Sequence, residues 1–106
     1  MSEINVRSHR AGKRGYDSGF ISIPTTEADL VSETVYVNSI YISNTSTSPI
    51  DVTLKQKSDN LIIYNRTIAV GDRDLLFFPE PVKVDGGIRF VASGSGAVIS
   101  VAGYLS

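Results

Sequence analysis

The chain has no cysteine and no tryptophan, and its single histidine, His9, lies in a polar segment near the start. The missing cysteines exclude a disulfide framework, a thiolate metal site and a Cys–His nucleophile. A Ser–His–Asp triad would have to use His9, yet such a triad needs a histidine held in place by the fold. No apolar run approaches the ~20 residues that cross a bilayer. The opening Met1-Ser2-Glu3-Ile4-Asn5-Val6-Arg7 lacks the apolar core of a signal peptide. The expectation is a chain made and folded in a reducing cytoplasm, with no membrane partner. Internal repeats and low-complexity tracts are also missing.

What is present divides in two. The formal net charge of −1 hides an asymmetry. Residues 1–19 carry Arg7, Arg10, Lys13 and Arg14 against Glu3 and Asp17, a net of +2, whereas residues 20–106 have six basic and nine acidic residues, a net of −3. Ser8 to Ser18 contains no periodic apolar pattern and should be extended or disordered in isolation. Fully extended, the 19 residues 1–19 would span roughly 60 Å, enough to reach an adjacent subunit. The plain alternative is a frayed terminus. The basic footprint is too small to imply a nucleic-acid partner. The division expected is therefore a basic arm, 1–19, and one β-domain, 20–106. Arg7, His9, Arg10, Lys13 and Arg14 are the arm's candidate contact residues.

The rest reads as short strands. Phe20 to Ile23 is one, stopped by Pro24. Thr25 to Glu33 is the one stretch with helical character, capped by Thr26; a loop crossing between sheets fits equally. Thr34 to Asn44 is rich in Val, Ile and Tyr, the strongest strand signal in the chain. Its apolar phase switches near Asn38-Ser39, as at a β-bulge or a change of buried face. Ile50, Val52 and Leu54 alternate with polar residues, and with the preceding strand they predict a hairpin. Strands follow at Leu61 to Ile68 and Asp74 to Phe78. Pro79-Glu80-Pro81 must be a loop or an edge. Val82 and Val84 suggest a short extended piece, Asp85-Gly86-Gly87 a hairpin-type turn, then Ile88 to Ala92 a strand. Ser93 to Gly96 turns into a closing strand in which Ala97, Ile99 and Val101 alternate with Val98, Ser100 and Ala102. Seven or eight strands without intervening helices predict an all-β fold, an antiparallel β-sandwich of jelly-roll type.

Catalytic and ligand-binding patterns are weak. Asp72 with Asp74, and Glu80 with Asp85, are ordinary solvated turn residues unless a cleft opposes them. Asp72-Arg73-Asp74 lacks the ligand series of a calcium loop. Gly94-Ser95-Gly96 precedes a strand, not a helix, so it is no phosphate cradle. Asn44-Thr45-Ser46 and Asn65-Arg66-Thr67 match the glycosylation pattern only as short accidents. No catalytic, cofactor or metal residue is assigned, and a small-molecule substrate is not expected. Tyr36, Tyr41, Tyr64 and Tyr104 either line a sugar- or base-stacking platform or pack at sheet edges with wet hydroxyls, and the second reading is preferred. Phe77 and Phe78 are adjacent on a strand and so face opposite ways. If one fills the core, the other is expected near the surface as a subunit contact; the plain alternative is a strand buried on both faces.

From Thr34 to Leu105 the order Asn38-Ser39-Ile40-Tyr41-Ile42-Ser43-Asn44, Asp51-Val52-Thr53-Leu54, Ile68-Ala69-Val70-Gly71-Asp72, Gly86-Gly87-Ile88 and Ser93-Gly94-Ser95-Gly96-Ala97-Val98 resembles the small β-sandwich structural proteins of tailed bacteriophage virions. The likeness is greatest to capsid cement (decoration) proteins, and similar patterns occur in neck, tail and fibre modules, some with glycan ligands. The resemblance implies a non-enzymatic protein on the capsid exterior, partnered by the major capsid protein and by itself, as a homotrimer bridging neighbouring capsid subunits.

Overall fold

A computed structural model of the chain describes residues 14–106. Its strands are β1 (Arg14–Asp17), β2 (Ile21–Ser22), β3 (Ala28–Val31), β4 (Val35–Asn44), β5 (Ile50–Gln56), β6 (Leu61–Ile68), β7 (Arg73–Val84), β8 (Ile88–Ala92) and β9 (Ala97–Leu105). They form two antiparallel sheets packed face to face, an all-β sandwich. Sheet one runs β1-β9-β4-β7, with β2 beside β9 on the same edge as β1; sheet two runs β3-β8-β5-β6. Taking β1 and β2 as one interrupted strand, this is the strand order of an eight-stranded jelly roll. The alternation read in the closing strand holds: Ala97, Ile99 and Val101 are buried, and the residues between them are half-exposed.

Several local expectations are corrected. The stretch 25–33 holds no helix; Ala28–Val31 is an edge strand pairing with β8, reached by a crossing from sheet one to sheet two. β4 and β5 do not form a hairpin, because they lie in opposite sheets. The turns at 69–72, 85–87 and 93–96 likewise cross between sheets, and only β5–β6 is a hairpin between neighbours. Alternation marks the buried face of a strand but not which sheet receives it.

What decides the crossing after β4 is Asn44, 2 % exposed and the one buried polar side chain among the described residues. Its Nδ2 donates to the carbonyls of Ser48, at 2.8 Å, and Ile68, at 2.9 Å. Its Oδ1 accepts from the Ser46 amide, at 2.9 Å, and the Ser46 hydroxyl, at 2.7 Å. The amide thus uses both donors and both acceptor positions, as a buried polar group must. It ties the end of sheet one to the end of β6 in sheet two. With both Nδ2 hydrogens engaged, it is also no glycan acceptor in the folded chain.

The phase switch in β4 is a bulge. Ala102 pairs with Ser39 and Gly103 with Val37, so Asn38 is the extra residue. Val35, Val37, Ile40 and Ile42 therefore all reach the core despite the odd spacing. Gly103 permits this close approach: a Cβ there would lie 1.9 Å from the Tyr36 carbonyl oxygen. On the other side of β4, Val37 pairs with Val82 and Ser39 with Phe77, leaving residues 78–81 bulged out. Pro79 and Pro81 lack the N–H a ladder needs, so the bulge falls where the sequence cannot pair. The strand continues past it to Val84 rather than ending at Pro79, and it forms the free edge of sheet one.

Candidate interaction surfaces

The two outer faces of the sandwich are chemically unlike. Sheet two is polar and charged across β3, β8 and β5. Asp29 on β3 accepts from Lys57 Nζ at 2.8 Å and from Arg89 Nε at 3.2 Å, and Glu27 pairs with Lys55 at 3.2 Å. The Lys57 ammonium hydrogen-bonded to Asp29, helped by Arg89, holds its carboxyl below the usual carboxylate range. Sheet one carries aromatic and aliphatic groups outward. Phe20 meets Tyr41 edge-to-face at 5.6 Å, and Tyr36 stacks on Tyr104 at 5.0 Å. Leu75 lies beside Tyr41 in register, and Phe77 is one step along the same face.

Exposed large apolar side chains are concentrated on one side. Leu61, Ile62 and Ile63 on β6, Val70 in the connection, and Leu75, Phe77 and Val82 on β7 are all exposed; Phe20 is the one such residue elsewhere among the described residues. β6 and β7 are the terminal strands of the two sheets, so this is the open side of the sandwich. Between them lies an apolar cleft of about 150 Å³, lined by Ile63, Leu76, Phe78, Val82 and Val84, with Val37 and Ile40 at its floor. Phe78 turns inward by strand alternation, and beside it the proline bulge separates 78–81 from β4. At the other end the sheets are fastened: Tyr64 Oη donates to Asp74 Oδ2 at 2.8 Å, and Arg66 Nη1 donates to the same oxygen at 3.2 Å. Burial, then the bond to Asp74, pushes the Tyr64 phenol well above its ordinary value.

The sequence candidates are distributed unevenly over this geometry. Phe77 is 71 % exposed on the outer face and Phe78 is half-buried against the core, the opposition expected of neighbours on a strand. Arg14 donates to Glu33 Oε1 at 2.7 Å, with both side chains largely exposed. That bridge is worth at most about 1 kcal/mol. Arg7, His9, Arg10 and Lys13 lie outside the described residues. The last part of the segment read as an arm belongs to sheet one: Arg14–Asp17 pairs with Ala102–Leu105. Tyr64, grouped by sequence with exposed tyrosines, is buried. Asp72 and Asp74 do not converge on a ligand: Asp72 Oδ1 accepts from the Arg73 amide, and Asp74 serves Tyr64 and Arg66. Among the described residues no three His, Cys, Asp or Glu side chains are grouped to hold a metal ion, and no helix is long and apolar enough to cross a membrane. The cleft itself was missed by sequence. Its one signal was the unbroken apolar triplet Leu61-Ile62-Ile63, too continuous for a strand with one solvated face.

No protein-family model and no curated protein matches the chain. Among solved structures, the fold is similar to a chain from the disulfide-linked pili of Bacillus endospore appendages, with a TM-score of 0.50 and 13 % identity over 97 % of this chain and 100 % of that one. A chain of the T13 IBDV viral particle aligns with a TM-score of 0.39 and 11 % identity, over 96 % of this chain and 35 % of the other. At this identity the first likeness speaks for the fold alone, and the second carries no argument.

Proposed function

We propose that this chain is a non-catalytic structural subunit that acts by being held in a repetitive assembly. The observation that carries the proposal is the crowding of exposed apolar side chains on the open β6/β7 side, opposite in character to the ion-paired face of sheet two. A monomer that buries nothing there leaves a hydrophobic surface in water; a partner covers it. In the cement form implied by the sequence pattern, the chain sits on the outside of a phage head and bridges neighbouring capsid subunits. Phe77 then supplies a subunit contact, and Arg7, His9, Arg10, Lys13 and Arg14 face an acidic surface. A clamp that binds only the assembled shell stabilises it by mass action, and many copies add their small contact energies.

A second reading is a filament subunit, favoured by the end-to-end similarity to a pilus chain. With no cysteine, any such filament of this chain would be held without disulfides. The deciding measurement is the copy number of the chain, by quantitative mass spectrometry, in purified particles from its source. About one copy per shell subunit supports cement. A few copies per particle point to a neck or fibre. Absence from particles, together with filaments formed by the purified chain, supports the second reading.

A further inference from the structure

The cleft between β6 and β7 has the features of a receptor for an added strand. It is apolar, and each flanking strand has one unpaired edge, since β6 pairs only with β5 and β7 only with β4 among the described residues. We propose that residues 3–7 of one copy enter this cleft in a neighbouring copy, with Ile4 and Val6 against its lining. This rests on the assembly reading and names the partner as a second copy of the chain.

Three observations carry it. Glu3-Ile4-Asn5-Val6-Arg7 alternates polar and apolar. As a strand it presents Ile4 and Val6 on one face, about 6.6 Å apart. Strand addition works in this way, with backbone bonds to an edge and alternate side chains in pockets. The cleft volume, about 150 Å³, matches apolar cavities that take a benzene-sized group, comparable with a branched aliphatic side chain. Charge is complementary as well. Residues 1–13 carry three basic and one acidic residue, whereas 14–106 carry seven basic and ten acidic. Glu80 stands exposed on the bulge at the rim of the cleft.

Reach and direction favour a neighbour. Arg14, Leu105, Val35 and Val84 form one row across sheet one. β1 therefore begins at the same end of the sheet as the Val84 lining, but on the opposite edge, three strand spacings or about 14 Å away. Seven residues lie between Val6 and Arg14, eight steps or about 26 Å of extended chain. To enter the chain's own cleft, a segment ahead of Arg14 would have to turn back across the width of sheet one from the edge where β1 begins. Each copy then donates one strand and receives one, a head-to-tail contact that closes into a ring or propagates.

Because the chain has no cysteine, introduced thiols are its only ones. Full-length Val6→Cys is mixed with full-length Ile63→Cys under mild oxidation, with Val6→Cys plus Ser95→Cys as control; Ser95 is exposed in the turn at the far end. The expected result is a disulfide between positions 6 and 63 of different copies, forming at least about tenfold faster than the control, as docking raises the local concentration. Equal rates overturn the proposal. So does a Val6→Cys, Ile63→Cys double variant that links only within one chain on dilution, which would assign the cleft to the chain's own segment. Undiminished assembly of an Ile4→Asp, Val6→Asp chain overturns the insertion and leaves the assembly reading standing. A native chain that is monomeric and absent from every particle overturns both.

Discussion

Replacing Asn44 tests whether one side chain holds the crossing between the sheets. Asn44→Ala removes four hydrogen bonds. The Ser46 and Ser48 groups are partly exposed, and water can replace their partner. The Ile68 carbonyl is bonded in a buried setting, where no such repair is at hand. At about 1 kcal/mol net per bond, with an added penalty for the orphaned carbonyl, the loss comes to about 2–4 kcal/mol. For a domain this size that lowers Tm by roughly 10–25 °C. Asn44→Asp keeps the shape but points a carboxylate oxygen at two carbonyl oxygens, at a cost of about 3–5 kcal/mol near neutral pH, comparable to an uncompensated buried charge. Burial raises that carboxyl's folded pKa above its unfolded value, so the deficit shrinks as pH falls toward the ordinary carboxylate range near 4. Urea titrations of both variants at pH 7 and pH 4 supply the numbers. A loss below about 1 kcal/mol for both, with no pH dependence for Asn44→Asp, would refute the pinning argument.

Other outcomes follow from the same geometry. Gly103→Ala, whose Cβ would sit 1.9 Å from the Tyr36 carbonyl, should cost about 3 kcal/mol by forcing β9 and β4 apart, read by thermal denaturation. Leu75→Ser with Phe77→Ser should leave the unfolding free energy within about 0.5 kcal/mol per site yet reduce self-association or shell binding in sedimentation. Tyr64 has a folded pKa raised above its unfolded value, so the unfolded chain ionises first; stability should be constant from pH 7 to 9 and fall above about 10, less steeply in Tyr64→Phe. Replacing Arg7, Arg10 and Lys13 by Gln should weaken attachment and flatten its salt dependence, measured by particle pull-down from 50 mM to 500 mM salt.

The fold class was legible because alternation in β5 and β9 reports one buried face directly, and the bulge in β4 showed as a phase slip at Asn38-Ser39. Connectivity was not legible. A Gly-rich turn such as 85–87 has the same chemistry whether it returns the chain to its neighbour or carries it across the core. The choice depends on remote partners, as when the Lys57 amide donates to the Gly87 carbonyl at 2.9 Å or Asn44 bonds to Ile68. The β3 strand was obscured for a related reason, since Glu27, Ala28, Asp29 and Leu30 favour a helical turn locally. Pairing with β8 and the bonds from Asp29 to Lys57 and Arg89 override that preference. Of the candidate contacts, the opposition of Phe77 and Phe78 followed from strand geometry alone. The cleft beside them depends on two strands fourteen residues apart at their centres being the last in different sheets, which no local pattern records.

The interrupted edge strand also has a mechanical meaning. β1 and β2 lie on the same edge of β9, parted at Ser18-Gly19, where the Ser18 hydroxyl accepts from the Val101 amide and the Ser18 amide donates to the Val101 carbonyl. A pull on the chain ahead of Arg14 loads the four pairs of β1 first, and the bend keeps that load from reaching β2 and the β9–β4 ladder together. Peeling residues 14–22 would release about 30 Å of chain while Val35 to Leu105 keep their packing. Copies tethered through this segment would share a built-in slack, yielding under a sudden swelling or shear and re-zipping when the tension passes.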